Sequence, residues 1–231
     1  NKMIIGLKSG IAAIECINDN SQIEWLNKSF PNDPEQRLND AKADKFGCIW
    51  FGSISTVDES RPIGKLMRLN LKTGNIEIID EGYTVTNGPA FNQSQTIMLH
   101  NDSGRQITYR FDLDARTGSV INKTIWRKFS SEEGYPDGMS FDSNGHIWIA
   151  HWGVGRVVQY NLKGEVLLIV QLPVKNVTNI CFGGAELNRL FVTSASSKLG
   201  DEFAKDCEYD GAVFEITGTN AKGFEGSLPI I

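Results

Sequence analysis

Five polar residues stand where this sequence could do chemistry: Arg37, Asn39, Asn87, Asp102 and Asp137. Asp137 lies in Pro136-Asp137-Gly138, which reads as a turn. Pro presets φ, Asp bonds its own backbone and Gly tolerates positive φ. Asn87 lies in Thr86-Asn87-Gly88-Pro89. A carboxylate and an amide oxygen are what a hard cation takes, at ~2.3–2.6 Å for calcium. Asp137 and Asn87 are therefore candidate metal ligands. The competing readings are an Asp that only closes its turn, and an Asn in the left-handed conformation before Gly88. Arg37, in Arg37-Leu38-Asn39-Asp40, could bind an anionic or hydroxyl-rich ligand, or pair with Asp40 or Asp44. Asp102, in His100-Asn101-Asp102-Ser103, reads as a further site acid at a strand end or as a solvated turn acid.

Strands must position these residues. Asp44-Lys45-Phe46-Gly47-Cys48-Ile49-Trp50 matches Asp142-Ser143-Asn144-Gly145-His146-Ile147-Trp148 at an offset of 98. That is two periods of roughly 49, within the span of repeat architectures. Phe91 to Leu99 lies midway and Phe182 to Thr193 further on, each a polar turn ahead of an apolar strand. Between them run hairpins with Gly-containing turns, such as Gly64 to Asn70 with Ile76 to Ile79. Two hairpins per period make a four-stranded unit, and such units repeated radially are propeller blades. Four full units are expected at about 37–82, 86–126, 136–173 and 178–217, after a partial one from Ile4 to Trp25. No 3.6-period helix of useful length is present. Ser131 to Tyr135 and Lys198 to Tyr209 read as longer loops. The fold class is all-β, a β-propeller, and 1–231 reads as a single domain.

The 231 residues can bury a sizeable core, since 40% are hydrophobic. Net charge is −5 with both signs mixed and no basic stripe, which argues against a nucleic-acid partner. No apolar run approaches the ~20 residues that span a bilayer. Of Cys16, Cys48, Cys181 and Cys207, none forms a close metal-type pair, and Cys48 and Cys181 read as buried free thiols. His100, His146 and His151 lack metal-motif spacing, Gly183-Gly184 is no phosphate loop, and Ser194 and Ser196 lack a nucleophile elbow. Sequon-like triplets begin at Asn27, Asn92, Asn101, Asn122 and Asn176.

At these residues the chain resembles the senescence-marker-protein (regucalcin), gluconolactonase and luciferin-regenerating-enzyme family. The resemblance is carried by Arg37 to Asp44 with Gly47 and Trp50, by Thr86-Asn87-Gly88, and by Asp102-Ser103. It continues in Pro136-Asp137-Gly138-Met139 with Asp142, Gly145 and Trp148, in Cys181-Phe182-Gly183-Gly184, and in Ile216-Thr217-Gly218. It implies a six-bladed propeller with one divalent metal near the axis (Ca²⁺, or Zn²⁺, Mg²⁺ or Mn²⁺). It implies Asn87 and Asp137 as metal ligands, Asp137 also as general base, and Arg37 and Asn39 as contacts to substrate or metal-bound water. Asp102 would support substrate from the rim. The family's glutamate ligand, in a Glu-Gly/Ser-Pro-x-Trp motif, has no counterpart here, so the first blade is expected to be missing or incomplete. The resulting expectation is a monomeric, metal-dependent hydrolase of a small lactone, cytoplasmic and free of membrane partners. Its alternatives are a non-catalytic calcium- or ligand-binding propeller and, from the sequons, a secreted protein.

Overall fold

The computed structural model describes residues 2–8, 10–17, 20–28, 33–196, 198–199, 202–203 and 208–228. In chain order the strands are β1 (Lys2–Leu7), β2 (Gly10–Ile17), β3 (Asn20–Asn27), β4 (Gln36–Ala43), β5 (Cys48–Ser55), β6 (Gly64–Asn70) and β7 (Ile76–Tyr83). There follow β8 (Thr86–Phe91), β9 (Ile97–Asp102), β10 (Ile107–Leu113), β11 (Val120–Lys128), β12 (Tyr135–Phe141), β13 (Ile147–Trp152), β14 (Arg156–Tyr160) and β15 (Val166–Gln171). The last are β16 (Val177–Gly183), β17 (Arg189–Ser194), β18 (Lys198–Leu199), β19 (Glu202–Phe203) and β20 (Val213–Ile216). Among the described residues the one helical element is a 3-10 turn, Ser131–Glu133, and no helix is long and apolar enough to cross a membrane.

The strands pair into meandering sheets in the orders β1-β2-β3, β4-β5-β6-β7, β8-β9-β10-β11, β12-β13-β14-β15 and β16-β17-β20, with β18-β19 a separate ladder. The units expected at 37–82, 86–126 and 136–173 are thus four-stranded sheets. The unit expected at 178–217 is a correction: it has three strands among the described residues. The stretch read as a loop from Lys198 holds the β18–β19 ladder instead, whose short pairing carries no alternating apolar signal. Cys16 and Cys207 have thiols outside the described residues.

Two compact units contain these sheets. The first holds the described residues up to Gly88 with Ser227 and Leu228, and the second is Pro89–Gly226. Strand β5 in the first is buried at every position, and its Ile49 and Phe51 pack with Ile11, Leu38, Met67 and Leu69. The second has two clusters, one around Trp148, Val157 and Leu190, the other around Phe141, Ile149 and Tyr160. Hairpin turns are closed by side chains as their composition predicts. Asn70 Oδ1 accepts from the Lys72 and Thr73 amides, and Asp114 Oδ1 from those of Arg116 and Thr117. Gly74 and Gly118 then take the positive φ that ends each turn, which an L side chain adopts rarely.

The 98-residue repeat has a physical cause. Asp44 is buried, and its Oδ1 accepts from the Phe46 and Cys48 amides at 2.9 Å each. Its Oδ2 accepts from Trp50 Nε1 at 2.8 Å and Arg68 Nη2 at 3.1 Å. Asp142 repeats this with the Asn144 and His146 amides, Trp148 Nε1 at 3.0 Å and Gln159 Nε2 at 2.9 Å. Each carboxylate folds the turn between the first and second strands and pins a tryptophan of the second. In the sheet starting at β8, Asn92 Oδ1 receives the Thr96 and Ile97 amides, and fully buried Leu99 stands where tryptophan stood. Arg37 does not hold Asp44, as one expectation allowed; the cation that does is Arg68.

Candidate functional site

The first strands of three sheets are bulged where the candidate residues lie. On β4, Leu38 pairs with Ser53 and Ala41 with Phe51, so Asn39 and Asp40 fall in a register shift. On β12, Pro136 pairs with His151 and Met139 with Ile149, so Asp137 and Gly138 do the same. On β16 the shift lies between Val177 and Asn179. A bulge bends a strand and re-aims the side chain it carries. Pro136-Asp137-Gly138 is therefore not a turn, as its composition suggested, but a bulge inside a strand. Gly138 does not take a positive φ. Its lack of a side chain answers a close approach: a Cβ there would stand 2.2 Å from Asn179 Cγ and 2.8 Å from Asn179 Cα.

In the first unit the structure brings Arg37, Asn39 and Asn87 together in one chain of hydrogen bonds. Exposed Arg37 donates from Nη1 to Leu38 O at 3.1 Å and to Asn39 Oδ1 at 2.9 Å. Asn39 Nδ2 donates to Thr86 O at 2.6 Å and to Asn87 Oδ1 at 2.8 Å. These partners fix both amides, because a guanidinium can only donate and a carbonyl can only accept. Asp40 Oδ2 also accepts from the Gly88 amide at 3.1 Å. Asn87 is buried in strand β8, not left-handed; the positive φ of 77° belongs to Gly88. Its oxygen is thus oriented by a neighbour, as a ligand atom needs.

In the second unit Asp137 is half-buried, and its backbone is held from β9. Asn101 Nδ2 donates to Asp137 O at 2.6 Å, and Ser103 Oγ donates to Pro136 O. Asn101 is fully buried, and its Oδ1 accepts from the Thr108 hydroxyl. Asp102 is fully buried too, which corrects the solvated-acid reading, and its Oδ2 accepts from Arg105 Nη1 at 3.3 Å. Successive side chains on a strand alternate, so Asn101 and Ser103 reach the Asp137 bulge while Asp102 leaves the other face. Sequence reasoning passed over Asn101 and Ser103 as site residues. Asn101 was noticed only as a sequon; its buried, bonded carboxamide leaves no room for a glycan, whereas Asn122 is exposed.

The approach to Asp137 is also anchored. Gln106 Nε2 donates to Ser130 O and Gly134 O at 2.9 Å each. His151, fully buried, faces Glu133 O from Nδ1 at 2.7 Å and the Tyr160 hydroxyl from Nε2 at 3.0 Å. The carbonyl needs a donor at Nδ1, and in the neutral ring that burial favours, Nε2 accepts from the Tyr160 hydroxyl. Burial above all lowers its pKa from 6.5 to about 4, with Arg156 and Arg127 adding to the effect against Glu133. Burial likewise raises the Tyr160 pKa. A histidine with a lowered folded pKa contributes stability above its unfolded value and loses it as pH falls. We expect stability to drop by ~3 kcal/mol between pH 6.5 and about 4. Denaturant titrations across that range check it. His151→Asn should be less stable at pH 7.5 yet show a shallower acid slope; an equal slope refutes the assignment.

Other candidates move away from chemistry. Cys48 is buried and free, its pKa raised first by burial; Cys181 is free but exposed, since it lies on the outward face of β16, which corrects its expected burial. Among the described residues no three His, Cys, Asp or Glu side chains converge as a metal site.

An all-β chain of successive antiparallel blades, three of them with bulged first strands, is a β-propeller chain, with five blades among the described residues. It belongs to the family described as SMP-30/Gluconolactonase/LRE-like region, whose profile matches residues 1–196. Pentonolactonase XacC of Haloferax volcanii is 33% identical over 190 residues, covering 80% of this chain and 63% of that protein. A solved luciferin-regenerating enzyme is 29% identical with a TM-score of 0.87, covering 97% of this chain and 76% of its own. A calcium-binding protein, regucalcin from Agrobacterium tumefaciens, is 25% identical with a TM-score of 0.90, covering all of this chain and 76% of its own. The chain thus spans less than two thirds of the pentonolactonase and about three quarters of the two solved proteins.

Proposed function

We infer that the chain carries the machinery of metal-assisted hydrolysis of a small lactone, with Asp137 as general base. The observation that carries this is the half-buried Asp137 carboxylate on a bulge whose carbonyl is held by a buried carboxamide. A base must keep its direction to take a proton in the transition state. Family membership and a relative named a pentonolactonase supply the reaction class. Arg37 and Asn39 would orient substrate hydroxyls or carbonyl, Arg37 from its exposed position and Asn39 from the amide it shares with Asn87. Asp102, buried with Arg105, would support the rim.

A divalent cation fits the donor chemistry. Asn87 Oδ1 in the first unit, oriented by Asn39, and the Asp137 carboxylate in the second are each hard oxygen donors. Oxygen donors of this kind suit calcium or magnesium better than zinc, which favours nitrogen and sulfur. Such a cation polarises a carbonyl and acidifies water. The likeness to a calcium-binding regucalcin favours a second reading, a calcium-binding propeller without turnover.

One assay separates the two. EDTA-stripped chain is offered a small sugar lactone with Ca²⁺, Mg²⁺, Mn²⁺ or Zn²⁺ added back, and calorimetry records metal binding. We expect Ca²⁺ or Mg²⁺ to raise turnover by about tenfold or more over the stripped chain. Binding with no turnover under any metal would favour the second reading.

A further inference from the structure

We propose that Asn101 is a positioning residue for Asp137, set in turn by the hydroxyl of Thr108. The inference rests on the reading of Asp137 as the base. A bulge takes Asp137 and Gly138 out of register with β13, so their buried backbone groups need partners from elsewhere. Two side chains at the end of β9 supply donors: Asn101 Nδ2 to Asp137 O at 2.6 Å and Ser103 Oγ to Pro136 O. The peptide plane after Asp137 is thereby fixed by a fully buried side chain of β9, and with it the direction of the Cα–Cβ bond that carries the carboxylate.

The amide must be oriented for this to work. With Nδ2 toward Asp137 O, Oδ1 faces Thr108, which is fully buried and can donate. Flipped, Oδ1 would confront the Asp137 carbonyl and the two acceptors would repel. Thr108 thus rewards the productive orientation, although it lies on β10 and touches nothing that reacts. Opposite the clamp, the Gly138 Cα lies against Asn179, so the bulge is fixed from two sides.

The test compares the full chain carrying Thr108→Val, Thr108→Ser or Asn101→Leu. Thr108→Val keeps the volume and removes the donor, while Thr108→Ser keeps the hydroxyl and serves as the conservative rescue. For Thr108→Val we expect kcat to fall by about 10- to 100-fold, as a misaimed catalytic group does, with KM within about twofold. Thr108→Ser should stay near wild type. Independently of turnover, the three-bond couplings that report the Asp137 χ1 angle should average over rotamers in Thr108→Val and Asn101→Leu but not in Thr108→Ser. A merely structural role lowers the melting temperature and leaves both kcat and these couplings unmoved, and that result overturns the inference. If Asp137→Asn keeps full turnover, the base assignment fails instead, while the couplings still decide whether Asn101 aims Asp137.

Discussion

Asp137→Asn should fold like the wild type and lose about 10²- to 10⁴-fold in kcat on a small lactone, the usual contribution of a positioned general base. Asparagine has the same size and keeps the backbone carbonyl to which Asn101 donates, so the bulge of β12 is preserved. What disappears is the capacity to accept a proton. The loss should fall on kcat and kcat/KM together, because the interaction removed is one made in the transition state. Initial rates under metal saturation, with circular dichroism to confirm the fold, decide it. Turnover within about threefold of wild type would remove Asp137 from the chemistry.

The second large effect is on stability, at Asp44. Asp44→Asn keeps one oxygen for the Phe46 and Cys48 amides but turns an NH₂ toward Trp50 Nε1 and Arg68 Nη2. The Arg68 guanidinium, with its side chain 12% exposed, then faces a donor in place of a carboxylate. Breaking a buried ion pair from one side costs about 3–5 kcal/mol. Asp142→Asn is the matched control: its fourth partner is neutral Gln159, so the cost should be about 2–3 kcal/mol. Arg68 and Gln159 occupy the same register position, opposite Trp50 and Trp148. Arg68→Gln should therefore rebuild the gentler version and cost less than Asp44→Asn. Urea midpoints of the three variants test the order, and equal losses at Asp44 and Asp142 would show that the guanidinium charge contributes nothing.

The repeated Asp-turn-Trp element was legible because its cause is local: a carboxylate, its turn amides and an indole six residues on lie within one hairpin. The apolar runs of β5 and β13 and the Gly-closed hairpins were legible for the same reason. The bulges were not. Pro136-Asp137-Gly138 has the composition of a turn, and only its pairing with β13 makes it part of a strand. The partners of the site residues were hidden for the same cause. Asn101 holds a carbonyl 36 residues away, and Asn39 reaches Asn87 over 48. Asp102 and Asn101 are adjacent in sequence, yet one is held by Arg105 and the other by Thr108. Types and spacing singled out Arg37, Asn39, Asn87, Asp102 and Asp137 as candidates, but not the buried amide that holds the Asp137 carbonyl.

The tryptophan clamps also give the chain built-in optical reporters. Trp50 lies in the first compact unit and Trp148 in the second, each fully buried with its indole N–H bonded to a carboxylate. An indole so enclosed emits in the blue and shifts to the red when its hairpin opens to water. Trp50→Phe and Trp148→Phe silence one buried emitter at a time. Difference spectra during denaturation would then follow the melting of each half of the sequence separately, without any attached dye.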